Sequence, residues 1–136
     1  MTADLNAHTW EKMAGASEHI GLIFTYWVEG EARLELPIGP QHLNRHGIPH
    51  GGIYAMLLDT AMGYSGAFTG DPEVRQNNLT LTLTVNYLSR PKGKTLIAEG
   101  KRVGGGAKTF FAEGKITDET GELIATASGA FKMRSR

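Results

Sequence analysis

The stretch GGIYAMLLDTAMGYSGAF, residues 51–68, is the one long helical pattern in the chain, and it constrains the fold more than any other feature. Ile53, Met56, Leu57, Thr60, Tyr64 and Phe68 recur at spacings of three and four, which predicts an amphipathic helix with that face inward. Most of the rest reads as strand. HIGLIFTYWVE (19–29) is rich in β-branched and aromatic residues, and ARLELPI (32–38) alternates after a turn at Gly30–Glu31. LTLTLTVNYLS (79–89) alternates strictly, with Leu81, Leu83, Val85 and Tyr87 on one side. TLIAEGKRV (95–103), KTFFAEGKIT (108–117) and ELIATASGAFKM (122–133) follow, divided by turn signals at PKGK, GGG and DETG. The order β-β-α-β-β-β-β predicts an α+β fold in which a curved, predominantly antiparallel sheet wraps one central helix. A lone helix must bury its stripe, and helices do not alternate with strands as a doubly wound sheet requires. Residues 3–14, with Leu5, Trp10 and Met13, are expected to add a short helix. Residues 1–136 are thus expected to form a single domain, with an N-terminal helical extension over 1–17.

Composition narrows the function classes. Fourteen basic residues balance fourteen acidic ones, whereas a nucleic-acid binder normally shows a basic excess. There are no cysteines, which removes disulfides, thiolate metal sites and cysteine nucleophiles together. The first residues are polar, without a signal core, and no run approaches the ~20 apolar residues of a membrane span. The expectation is a cytoplasmic protein with neither a nucleic-acid nor a membrane partner.

Asp59 is out of keeping with its neighbourhood: four apolar residues precede it, and on a helix it lies away from the Ile53/Leu57/Thr60/Tyr64 stripe. Its companions there, Ala55, Met62, Gly63 and Gly66, are mostly small and leave room for a ligand or another chain. A structural pairing with a loop amide is the alternative. At the other end of the helix, Gly51–Gly52 stands where unsatisfied N–H donors emerge, an arrangement suited to a carbonyl that becomes an oxyanion. The pair could equally do no more than start the helix. Eight residues separate Gly51 from Asp59, about 12 Å of helix axis, too far for one copy to aim both groups at one carbonyl. Two antiparallel copies related by a two-fold axis would meet that requirement, which predicts a composite site in a homodimer.

The preceding loop, HLNRHGIPHGG, spaces His42, His46 and His50 four apart. A metal reading needs all three imidazoles on one side, and Gly47 and Pro49 oppose the helix that would align them. No metal is expected. Gly93–Lys94–Thr95 has the ending of a phosphate-binding loop but lacks its upstream glycine and is followed by a strand, so it is rejected.

The run Asn44-x5-His50-Gly51-Gly52-x6-Asp59 resembles the hotdog-fold acyl-CoA thioesterases, in particular the PaaI-like branch of phenylacetic acid degradation. The YLSRP end of the long strand and the GGGAKTFFAEGKITDETGELIATASGAF tail extend the resemblance across residues 18–132. It implies that the Gly51 N–H polarises the thioester carbonyl with help from Asn44. It implies that Asp59 of the partner subunit activates water or attacks as nucleophile, and that Thr80 orients that water. His50 would shape the loop. CoA would be part of the substrate, with no separate cofactor. Its phosphates want basic, glycine-lined surface, which Lys101–Arg102, Gly104–Gly105–Gly106 and Lys108 supply, with Lys92 and Lys94 as further sources, while Gly52 is expected beside His50 among the substrate contacts. The resemblance also implies a dimer of dimers. Two alternatives stay open: an acyl-thioester hydratase or dehydratase on a similar fold, and a non-catalytic acyl-CoA-binding dimer.

Overall fold

The structure is a computed structural model and describes residues 9–134. A short helix, α1 (Gly15–Ile20), leads into a hairpin of β1 (Ile23–Val28) and β2 (Glu31–Pro37). A single turn of 3₁₀ helix at Pro40–His42 precedes the long helix α2 (Gly51–Ser65). Four strands complete the chain: β3 (Asn78–Tyr87), β4 (Thr95–Gly105), β5 (Thr109–Asp118) and β6 (Leu123–Met133). They form one six-stranded sheet in the order β1-β2-β4-β5-β6-β3, and every neighbouring pair is antiparallel. The sheet curves around α2, so the hotdog architecture is the observed one.

The sheet closes on the helix because its middle is built from small residues. Ala32, Gly100, Gly114 and Ala127 are paired in register across four strands and form a trough. A side chain at Gly100 would strike the Ala61 carbonyl of α2, and one at Gly114 would lie 2.8 Å from the Met62 sulfur. Helix backbone therefore reaches the sheet there with no Cβ between them. On either side of the trough, Leu34, Leu36, Leu96, Phe110, Ile116, Ile124 and Phe131 complete the core. Phe110 and Phe131 stack at 5.0 Å.

The helix presents a different face from the expected one. Tyr54, Leu57, Leu58, Ala61, Met62 and Ser65 are buried, while Ile53, Met56, Thr60 and Tyr64 are half-buried. α2 is apolar on most sides, so its spacing fits two stripes, and the small-residue trough selects the one carrying Ala61 and Met62. Residues 9–14 are not helical; the helix stands at 15–20, and the remainder of the expected 3–14 helix lies outside the described residues. Residues 19–22 likewise belong to α1 and its turn rather than to β1.

β3 departs from its alternation too. A bulge between Thr80 and Thr82 shifts its register against β6. Only Leu83 and Val85 turn partly inward; Leu79, Leu81 and Tyr87 are each more than half exposed. This strand is an edge of the sheet, bare on its outer side.

Candidate active site

The helix is fastened along the edge strand by three side chains. Tyr87 donates its hydroxyl to the Gly51 carbonyl at 3.2 Å, at the end of β3 nearest the helix N-terminus. Thr80 donates to the Asp59 carboxylate at 2.5 Å. Asn78 donates its amide to the Gly63 carbonyl at 3.0 Å. Gly51 and Asp59 are thus tied to opposite ends of β3. The absence of a side chain at Gly51 is used here, since a Cβ would meet the Tyr87 ring at 3.3 Å.

His50 supplies the N-cap of α2. Its Nδ1 accepts from the Gly52 N–H at 2.9 Å, and its carbonyl accepts from Ile53 at 2.9 Å and Tyr54 at 3.4 Å. Of the first-turn donors, Gly51 N–H alone has no acceptor among the described residues. Gly52 is exposed, but its N–H is taken by the cap. The approach loop is held by Asn44, whose side-chain oxygen accepts from the His46 N–H at 2.8 Å and whose backbone N–H donates to the Ile48 carbonyl at 2.8 Å. With that oxygen engaged, the Asn44 amide NH₂ has no hydrogen-bond acceptor among the described residues.

The three histidines have three different environments. His42 is fully buried, accepting from the Gly39 N–H at 2.9 Å and donating through Nε2 to the Ile20 carbonyl at 2.7 Å. His46 is exposed on the loop, and His50 caps the helix.

Gly105, Gly106 and Lys108 form the β4–β5 hairpin tip. Gly105 has φ 119°, Gly106 donates to the Thr109 carbonyl at 2.8 Å, and Arg102 braces the Gly106 carbonyl at 3.1 Å. Through the pairs Thr80–Phe131–Phe110–Gly105, this tip lies at the Thr80 end of the sheet, three strands or about 14 Å away. Lys92 and Lys94 lie at the opposite end. Their backbone N–H groups bond Asp118 and Glu119, and Lys92 Nζ pairs with Glu122 at 3.1 Å.

A cleft of about 360 Å³ opens beside Asp59 and Thr80 and runs along α2 past Gly63 to Tyr64, walled by residues 11–14 and Ser17. Within it, Tyr64 stands beside Glu11, and Glu11 pairs with Arg75 Nε at 3.0 Å. A second hollow, about 630 Å³, lies on the outer face of the sheet between Arg33, Glu99 and Lys115. Sequence reasoning missed Tyr87, Glu11 and Arg75 as parts of the site. Of the aromatic residues in 51–68, Tyr54 is core, Phe68 packs on Trp10 and Trp27, and Tyr64 borders the cleft.

A family model for the thioesterase superfamily matches residues 46–125, from the approach loop into β6. A candidate esterase of Halobacterium salinarum is 32% identical over 114 residues, covering 77% of this chain and 75% of that protein. Another, from Archaeoglobus fulgidus, is 30% identical over 102 residues, 74% of this chain, which spans 63% of that relative's length. Among solved structures, the E. coli PaaI protein of the phenylacetic acid degradation operon superposes with TM-score 0.80 at 22% identity, covering 96% of this chain and 91% of its own. The BH2602 protein of Bacillus halodurans, solved with CoA, has TM-score 0.65 and 34% identity over 75% of this chain and 66% of that one. The curved sheet, the matched segment and the relatives agree, and the chain belongs to the thioesterase superfamily.

Proposed function

We propose that this chain is an acyl-CoA thioesterase whose site is assembled across a homodimer. One observation carries the reading: the unpaired Gly51 N–H and the Asp59–Thr80 pair are anchored at opposite ends of the same exposed edge strand. A bare edge with apolar side chains favours pairing with another strand. Antiparallel pairing of β3 with its own copy, centred near Leu83, would set Thr80 opposite the partner's Val85 and Asn78 opposite the partner's Tyr87. The partner's Gly51, fastened to its Tyr87, then comes to Asp59.

In that arrangement the thioester oxygen accepts from Gly51 N–H and the Asn44 amide, which hold the charge that develops on it. The partner subunit's Asp59 takes a proton from water as the new C–O bond forms, and the partner's Thr80 fixes that carboxylate's orientation. Collapse breaks the C–S bond, and the leaving thiolate gains the proton. Direct attack by Asp59, with water cleaving the resulting anhydride, gives the same products. The BH2602 likeness supports CoA as the carrier, and the basic clusters at the two ends of the sheet are candidate phosphate contacts.

The test is thiol release from a panel of acyl-CoAs. Wild type should release free CoA, and Asp59→Asn should lower kcat by about 10²–10⁴ while substrate still binds. Near-full activity in Asp59→Asn would refute the assignment. Reversible enoyl absorbance change without thiol release would favour the hydratase reading instead.

A further inference from the structure

The cleft beside Asp59 ends in a charged group that the hydrolysis of a thioester does not use. Tyr64 is five residues beyond Asp59 on α2, about 7.5 Å along the axis. Its phenol stands beside the Glu11 carboxylate on the cleft wall, and burial, followed by that carboxylate, pushes the phenol's pKa well above its ordinary value. Glu11 comes from the irregular segment that walls the cleft, and its side chain is only 14% exposed although it borders an open cavity. Its partner Arg75 is mostly solvent-exposed. A carboxylate has about four acceptor positions, and the Arg75 pairing uses one of them.

A hydrocarbon chain entering this cleft would strip water from Glu11 and return no hydrogen bond, a cost that burial of its methylenes does not recover. A hydroxyl would donate to the carboxylate directly. A cavity of about 360 Å³ takes a short acyl group but not the whole of coenzyme A.

We propose that the cleft takes a short acyl group ending in a hydroxyl, with Glu11 as the acceptor of that hydroxyl and Tyr64 and Arg75 holding Glu11 in place. The inference rests on the thioesterase reading for the position of the thioester, and it can be tested without turnover.

The probes are two non-hydrolysable thioethers, S-hexyl-CoA and S-(ω-hydroxyhexyl)-CoA, titrated calorimetrically into the full-length protein. The hydroxylated analogue should bind about tenfold tighter or more, because a site built to bond a hydroxyl discriminates against its absence. Glu11→Gln should bring the ratio close to one. Tyr64→Phe, which keeps the ring against Phe24 and Trp27, should reduce it severalfold. Equal binding of the two analogues by wild type, or a ratio that survives in both variants, overturns the proposal. Thiol release from hexanoyl-CoA and ω-hydroxyhexanoyl-CoA is measured separately. If neither is hydrolysed but the binding ratio holds, the thioesterase reading falls and the cleft assignment stands. If both are hydrolysed equally well, the cleft assignment falls alone.

Discussion

Gly51 combines three properties that no other residue of the first helical turn shares. It is left with a free N–H because the His50 ring and carbonyl take the next three donors. It lacks a side chain where Tyr87 lies against it, and its carbonyl is held by the Tyr87 hydroxyl. Tyr87 thus acts on the proposed oxyanion donor through position, as a clamp on the helix end. Tyr87→Phe keeps the ring and loses only this bond, so kcat should fall severalfold with a smaller change in KM. Its melting temperature should shift little, since the bond is solvent-exposed. Unchanged kcat would remove Tyr87 from the site. Asp59 was legible in the sequence because an acid amid apolar helix residues is conspicuous. Tyr87 was not, because a tyrosine ending an alternating strand looks like one more apolar position.

Among the elements, the link between the β3–β4 connection and the β5–β6 turn is built around one buried acid, with Glu119 and Glu122 at its exposed margin. Asp118 accepts from the N–H groups of Lys92, Gly93, Thr120 and Glu122 and from the Thr120 hydroxyl. Burial works to raise its pKa, yet the Thr120 hydroxyl and then the Gly93, Lys92 and Thr120 N–H groups together hold it well below the ordinary carboxylate range. A depressed native pKa gives stability that is fully present above the unfolded value, near 4, and lost progressively as pH falls toward the native value. Asp118→Asn turns an amide donor toward groups that are all donors, and should cost about 2–4 kcal/mol at neutral pH. Urea denaturation from pH 7 to pH 2 should show the wild-type advantage shrinking below about pH 4. A gap constant across that range would mean the charge is not what stabilises the turn. This lock holds together the end of the sheet that carries Tyr87, and so the register of the edge strand.

At the scale of the whole molecule, the proposed chemistry depends on two copies. Mixing Asp59→Asn with Gly51→Pro subunits tests this directly. Proline is tolerated at the first helical position and removes the N–H in question. Each variant alone should be inactive. Denatured together and refolded, they should recover about a quarter of wild-type activity if each site draws one group from each chain, because half the dimers are mixed and each mixed dimer holds one intact site. No recovery, with both variants folded and dimeric by size-exclusion chromatography, would require a site within one chain.

The sequence by itself determined the elements and their order, since period-two and period-3.6 patterns are local records of which side of a segment is apolar. It also marked Asp59 and the Gly51–Gly52 helix start as unusual. Only the tertiary structure decided which side of α2 faces the sheet, because a helix apolar on most sides is oriented by the small-residue trough beneath it. The same holds for the three histidines, whose even spacing dissolves into one buried, one exposed and one capping residue. It holds most of all for Glu11, which shares a cleft with Tyr64 and Arg75 although dozens of residues separate it from both. Glu11 precedes α1, Tyr64 lies on α2 and Arg75 in the loop before β3, so their meeting depends on tertiary packing that no local pattern encodes.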